Sequence, residues 1–248
     1  MNLLHENERL DDLGCNGLKI IQNKKWFCFG MDAVLLSHFA SDIHKHKKVM
    51  DLCAGNGIIS FLLSQKIQPS SITAIEIQKD IADLFQRSIQ YNHLENIIQL
   101  HCMDLKQVDT VFPLHSFDAV VTNPPYMKNH AGLKNEEEHK WIARHEITCQ
   151  LEDVVKSASL MLKSAGSFYL VHRPDRLCDI FCCLRQYQLE PKSIRFVQPS
   201  IEKTANLVLI KACKDAKPFL KMQPNLVIYQ PNGSYTDEVL SLYQTNSL

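Results

Sequence analysis

A chain of 248 residues and 28.4 kDa has room for one ordinary domain with a modest extension. Apolar residues make up 45% and charged residues 22%, enough for a large core, and 27 basic residues balance 27 acidic ones. That balance excludes a blanket of positive charge but not a local basic face. No run of eighteen apolar residues is present, which excludes a spanning helix. The first twenty residues hold Glu6, Glu8, Asp11 and Asp12 with no apolar signal segment, so the expected setting is soluble and cytoplasmic. Nine cysteines contain no CxxC pair, and no Cys/His grouping has zinc spacing. Reduced packing thiols and no metal centre are expected.

In chain order, Leu18–Gln22 and Trp26–Phe29 flank Asn23-Lys24-Lys25 like a hairpin, and Asp32 is placed to cap a short helix from Ala33 to Ala40. From Lys48 onward β-rich and helical runs alternate. Val49–Leu52 is a strand entering a glycine turn, and Gly57–Lys66 a helix. Ile72–Ile77 is a second strand, Asp80–Leu94 a helix by its apolar spacing, and Asn96–Met103 a third strand. Phe117–Thr122 is a fourth strand, stopped by Pro124 and Pro125. Leu151–Lys163 reads as a helix with Gly166 as its stop, Ser167–His172 as a fifth strand, and Pro174–Leu189 as a helix opened by proline. Ser193–Val197 and Asn206–Lys211 leave no room for a helix between them and should pair antiparallel. The expected architecture is α/β: a seven-stranded, mostly parallel sheet with helices on both faces and a terminal antiparallel hairpin. Residues 1–48 are expected as a hairpin-and-helix extension packed on the domain formed by 49–248.

Asp51-Leu52-Cys53-Ala54-Gly55-Asn56-Gly57 follows a strand and opens a helix, a place where backbone N–H groups meet a ligand. Glu76 ends the next strand, where a carboxylate can accept both hydroxyls of a ribose. Asp104 ends the third strand and can accept from an adenine amino group. Three acids at consecutive strand ends would line one crevice. A tight turn with solvated acids is the plain alternative. A nicotinamide dinucleotide is another, but Ile58-Ile59-Ser60 follows Gly57, so GxGxxG is absent. Asp51 suits a cationic amine better than a pyrophosphate, and the crevice is read as a site for S-adenosylmethionine.

Asn123-Pro124-Pro125-Tyr126 follows the fourth strand and faces the same crevice. An exocyclic amine is a poor nucleophile because its lone pair is shared with the ring. The Asn123 side-chain oxygen and the Pro124 carbonyl can accept its two N–H bonds and aim that lone pair at a methyl sulfonium. Pro125 stiffens the backbone, and Tyr126 offers a face for an unstacked base. A stiff strand-to-helix turn is the structural alternative.

These motifs resemble the Asn-Pro-Pro-Tyr class of S-adenosylmethionine-dependent methyltransferases, and more narrowly the bacterial valine-tRNA adenine-N6-methyltransferases. The similarity runs over most of the chain. Phe29–Leu36 resembles that family's segment before its sheet, Ala143–Ile147 the stretch before its next helix, and Leu226–Tyr229 with Ser234–Thr236 its closing strand and tail. The resemblance implies a class I, Rossmann-like fold and methylation of an adenine N6 next to the anticodon, with S-adenosylhomocysteine as product. It implies a tRNA substrate, with no membrane and no obligate protein partner. Cofactor contacts fall on Met31, Asp32, Asp51, Cys53, Ala54, Gly55, Gly57, Glu76, Ile77, Asp104, Leu105 and Asn123, and the target amine on Asn123–Tyr126. The class usually has glycine where this chain has Cys53.

Guanine-N2 methylation of ribosomal RNA and N5 methylation of protein glutamine use the same amine geometry and stand as alternatives. DNA methylation lacks a segment long enough for a target-reading domain. A nucleoside-binding scaffold with a dead site conflicts with intact Asn123 and Tyr126. Three basic clusters are candidates for following phosphates. Eight basic residues against three acidic ones span Arg185–Lys221; His44–Lys48 and Lys19 with Lys24-Lys25 form the others. Glu136-Glu137-Glu138 would repel phosphate, and Arg144 is able to grip phosphate or pair with Glu146.

Overall fold

The computed structural model describes residues 3–26, 30–125 and 149–243. Strands β1 (Glu8–Asp12) and β2 (Lys19–Asn23) precede helix α1 (Met31–Phe39). There follow β3 (Lys48–Leu52), α2 (Ile58–Lys66), β4 (Ser71–Glu76), α3 (Lys79–Tyr91) and β5 (Ile98–Cys102). A single turn, α4 (Val108–Val111), leads to β6 (Phe117–Thr122). Then come α5 (Leu151–Met161), β7 (Leu162–His172), α6 (Leu177–Gln186), β8 (Leu189–Gln198) and β9 (Leu207–Lys214). The chain closes with β10 (Lys221–Met222), β11 (Leu226–Val227) and α7 (Asp237–Tyr243).

The main sheet runs β10-β8-β9-β7-β6-β3-β4-β5, with β11 also on β8. Strands β5, β4, β3, β6 and β7 are parallel, while β9 runs antiparallel to both β7 and β8. The seven expected strands and the closing antiparallel pair are present. Two-residue β10 and β11 widen the sheet to nine; such short pieces show no alternation in sequence. Alternate side chains sort onto two faces. Val49 joins the cluster under α1 and α2, with Phe85 and Ile89 of α3; Met50 and Leu52 join the cluster under α5 and α6. From β3 the chain steps out to β4 and β5, then returns to β6 on the other side. The order therefore reverses between β3 and β6, where ligands of open α/β sheets sit.

Strand β2 pairs antiparallel with β1, Leu10 opposite Ile21; of its expected hairpin partner, Trp26–Phe29, residues 27–29 lie outside the described residues. Glu8–Asp12 carries one apolar residue and shows no strand signal; Arg87 of α3 anchors it by a 2.7 Å ion pair to Glu8. Three expectations need correction. Helix α1 starts at Met31 and not at Ala33 as expected, with Gly30 as its N-cap. Asp32 lies inside the first turn, accepts from the Ala33 N–H at 3.1 Å, and complements the helix dipole instead of capping. Gly166 does not stop α5, which passes directly into β7. It ends a bulge, between the pairs Phe117–Leu162 and Ala119–Ser167, where an added Cβ would lie 2.8 Å from the Lys163 carbonyl oxygen. Finally, α6 ends at Gln186, and Leu189 opens β8.

Candidate active site

Register places the functional strand ends side by side. Leu52 is level with Ile75 and with Thr122, and Glu76 with Cys102, so the turn after β3, Glu76, Asp104 and Asn123 share the carboxyl edge of the sheet. The Thr122 hydroxyl donates to the Leu52 carbonyl at 2.8 Å and ties β6 to β3 there. A cleft opens at this edge, where ligands of open α/β sheets sit. Its wall contains the expected Cys53, Glu76, Ile77, Asp104, Leu105 and Pro125, together with Ile75, Met103 and Cys149, which sequence reasoning did not single out. Met31, Asp32, Asp51, Ala54, Gly55, Gly57 and Asn123 are not part of that wall.

The turn is tightly built. The Ala54 N–H donates to the Ile75 carbonyl, and the Gly57 N–H to the Ala54 carbonyl, both at 2.9 Å. Gly57 has φ +88, and a Cβ there would sit 2.0 Å from the Phe85 ring. Gly57→Ala is therefore expected to destabilise the fold by ~2–3 kcal/mol, read as a lower urea midpoint.

Asp51 is fully buried on the α2 side of β3. One carboxylate oxygen accepts from the Ser60 hydroxyl at 2.7 Å, a support that a nine-residue spacing does not reveal; the other, Oδ1, has no partner among the described residues. Burial pushes its pKa up to about 7, against the Ser60 hydrogen bonds, with the nearby Glu76 charge adding to the rise. A partnerless buried acceptor costs about 1–3 kcal/mol, which a cationic amine would relieve. In this respect the residues fit the amino group of S-adenosylmethionine.

Glu76 is buried, and its carboxylate accepts from the Gly55 N–H at 2.8 Å, the Gln78 N–H at 2.9 Å and the Gln78 side chain at 3.1 Å. It thus fixes the glycine turn, and two carboxylate oxygens retain acceptor capacity beyond these bonds. Asp104 caps the short turn Leu105–Gln107 by accepting from the Lys106 N–H at 2.9 Å. Ile77 is 43% exposed on the cleft wall and Leu105 is buried behind it, an apolar setting for a flat ring.

Asn123 is half-buried, Pro124 buried and Pro125 half-buried at the end of β6. Tyr126, Glu136-Glu137-Glu138 and Ala143–Ile147, with Arg144, lie outside the described residues. On the neighbouring strand, burial lowers the His172 pKa to about 4, so this imidazole is neutral near pH 7.

The basic clusters differ in place. His44–Lys48 leads into β3 at the amino edge, away from the cleft, with Lys47 on Asp118 at 3.5 Å. Much of the Arg185–Lys221 cluster is internally satisfied: Arg185 pairs with Glu190 at 2.7 Å, Arg195 with Glu238 at 2.5 Å, and Lys211 with Asp42. Lys214 is buried on Ser159. Lys203, Arg173 and Arg176 follow strand ends on the carboxyl edge. Among the described residues no helix is long and apolar enough to cross a membrane, and no metal-ligating group is assembled.

The sequence profile of a family described as methyltransferase small domain matches residues 30–179, more than half the chain. A tRNA1(Val) (adenine(37)-N6)-methyltransferase of a Shewanella species is 26% identical over 235 residues, covering 94% of this chain and 93% of its own. The protein of that name from Haemophilus influenzae is 27% identical over 228 residues, covering 90% and 92%. Among solved structures, one described as a predicted O-methyltransferase from Agrobacterium tumefaciens superposes with a TM-score of 0.70 at 21% identity, covering 86% of this chain and 95% of that one. TYW2 of M. jannaschii, in complex with AdoMet, gives 0.56 at 14% identity over 85% and 86%. These likenesses show a class I, Rossmann-like methyltransferase fold.

Proposed function

The chain belongs to the methyltransferase small domain family and is an S-adenosylmethionine-dependent N-methyltransferase, and from that premise we propose that its substrate is the N6 amine of an adenine in tRNA, beside the anticodon of a valine tRNA. The observation that carries this reading is the alignment of Asn123-Pro124-Pro125 with Glu76 and the Asp51 turn on one sheet edge. Relatives of about the same length that bear the adenine-N6 name support the substrate.

When bound, the cofactor supplies an electrophilic methyl group. The protein's part is positioning. Asn123 Oδ1 and the Pro124 carbonyl accept the two N–H bonds of the target amine and hold its nitrogen closer to tetrahedral, so that the lone pair projects from the ring plane. No strong base is needed beforehand, because the amine becomes acidic as the methyl arrives. Glu76 holds the ribose hydroxyls, Asp104 and the Ile77–Leu105 wall the adenine, and Asp51 with the first turn of α1 (Met31 and Asp32) the amino-acid end. Single-stranded loop bases swing out at lower cost than paired ones, which suits an anticodon loop. Lys203 and the Lys24-Lys25 turn are the cations we assign to its phosphates, with salt-sensitive affinity.

Label transfer from radioactive S-adenosylmethionine to separate pools of unmodified tRNA, ribosomal RNA, DNA and protein tests the assignment. Label confined to tRNA is the expected result; label in ribosomal RNA or protein would overturn the substrate while keeping the fold. Glu76→Ala is expected to weaken cofactor binding at least tenfold by calorimetry, about 1.4 kcal/mol. An unchanged dissociation constant would remove Glu76 from the ribose.

A further inference from the structure

Two thiols on the cleft wall touch. Cys53, in the glycine turn, and Cys149, just before α5, are 96 residues apart in sequence, yet their sulfurs lie 3.8 Å from one another. Both are half-buried. Cys53 also holds φ +58, a left-handed backbone that costs a residue with a Cβ of the order of 1–2 kcal/mol. A residue strained in this way, touching a second thiol on the wall of a ligand cleft, has a chemistry that neither packing nor methyl transfer uses. We propose that Cys53 and Cys149 are a modification site: a peroxide oxidises them to a reversible disulfide that closes the cofactor cleft.

A disulfide needs its sulfurs about 2.05 Å apart, so closure draws the two sulfurs together by roughly 1.8 Å and pulls the glycine turn toward the head of α5. The tether then joins the glycine turn after β3 to the head of α5. That turn must stay free to receive the amino-acid end of the cofactor, and Glu76 and Pro125 flank the same space. The contact with Cys149 and burial push the Cys53 thiol well above its ordinary range; the first attack is assigned to Cys149, which lies at the head of α5 and outside the strained turn. Its sulfur takes one peroxide oxygen, the O–O bond breaks, and a sulfenic acid and one water result. The Cys53 sulfur then attacks Cys149 Sγ, and the displaced hydroxide leaves with the Cys53 proton as the second water. Two thiols lose two electrons and two protons; one hydrogen peroxide becomes two waters.

The proposal rests on this cleft being the cofactor site, and two separate readouts keep the two claims distinguishable. Full-length protein is treated with hydrogen peroxide, then digested with trypsin without reductant, and S-adenosylhomocysteine binding is measured by calorimetry before and after. The expected results are a disulfide joining peptides 49–66 and 145–156, at least tenfold weaker binding, and recovery with dithiothreitol. Cys149→Ser, compared with its own reduced form, should change less than twofold on peroxide treatment. Absence of the linked peptide, linkage with unchanged affinity, or equal peroxide loss in Cys149→Ser would each overturn it. Reduced protein that binds no S-adenosylhomocysteine would instead sink the cofactor assignment and, with it, the claim of closure, whatever the peptides show.

Discussion

Replacing Asn123 by alanine is expected to lower kcat by about 10²–10³-fold, the effect of deleting one preorganised dipole that acts on the reacting group. The dissociation constant for S-adenosylmethionine should move less than threefold. The separation follows from placement. Asn123 ends β6, beside the cleft and off its wall, while Glu76, Asp104 and Leu105 line it. The substitution leaves the Thr122–Leu52 bond that anchors the strand end, so the fold should persist. Comparable losses of turnover and cofactor affinity would show that Asn123 holds cofactor and not the target amine.

Asp51→Asn should push stability and binding in opposite directions. Its pKa of about 7 lies above the ordinary aspartate value of 3.8, so the folded protein holds this proton more tightly than the unfolded chain. Stability attributable to Asp51 therefore falls as pH rises from about 4 to 7, and above that range the full cost of a buried charge is carried. The neutral amide keeps an acceptor for Ser60 and removes that charge. At pH 8 the variant is expected to be more stable by ~1–3 kcal/mol, or several degrees in Tm. At pH 5 the gap should nearly vanish. Cofactor affinity should fall tenfold or more at pH 8, because the amide offers a cationic amine no charge. Wild-type affinity should itself weaken as pH falls through 7. Denaturation midpoints and calorimetry at the two pH values decide it; a variant less stable at pH 8, with unaltered cofactor affinity, would contradict this role for Asp51.

The sheet was legible because its strands are apolar, evenly spaced and stopped by glycine, acid or proline: Val49–Leu52 before the turn, Phe117–Thr122 before Pro124. The crevice was legible because each strand end carries its chemistry in the next few residues. What escaped was long-range or weakly patterned. Glu8–Asp12 forms a strand by pairing with β2, and Arg87, 79 residues on, holds Glu8. Ser60 supports Asp51 from a different element, and Met103 and Cys149 reach the cleft by tertiary packing that no local pattern encodes. The charge excess over Arg185–Lys221 overstates its free cations for a related reason. Five of its eight cations meet partners supplied by the fold, and three of those partners, Asp42, Ser159 and Glu238, are distant in sequence.

The central claim is methylation of an adenine N6 at one position in tRNA. Its most direct test is to incubate the protein and S-adenosylmethionine with an unmodified valine tRNA transcript, then map the product by nuclease digestion and mass spectrometry. N6-methyladenosine at the adenine just 3′ of the anticodon, abolished by Asn123→Ala, is the predicted result. A methyl group on guanine, on another adenine, or on no base of this tRNA would contradict it.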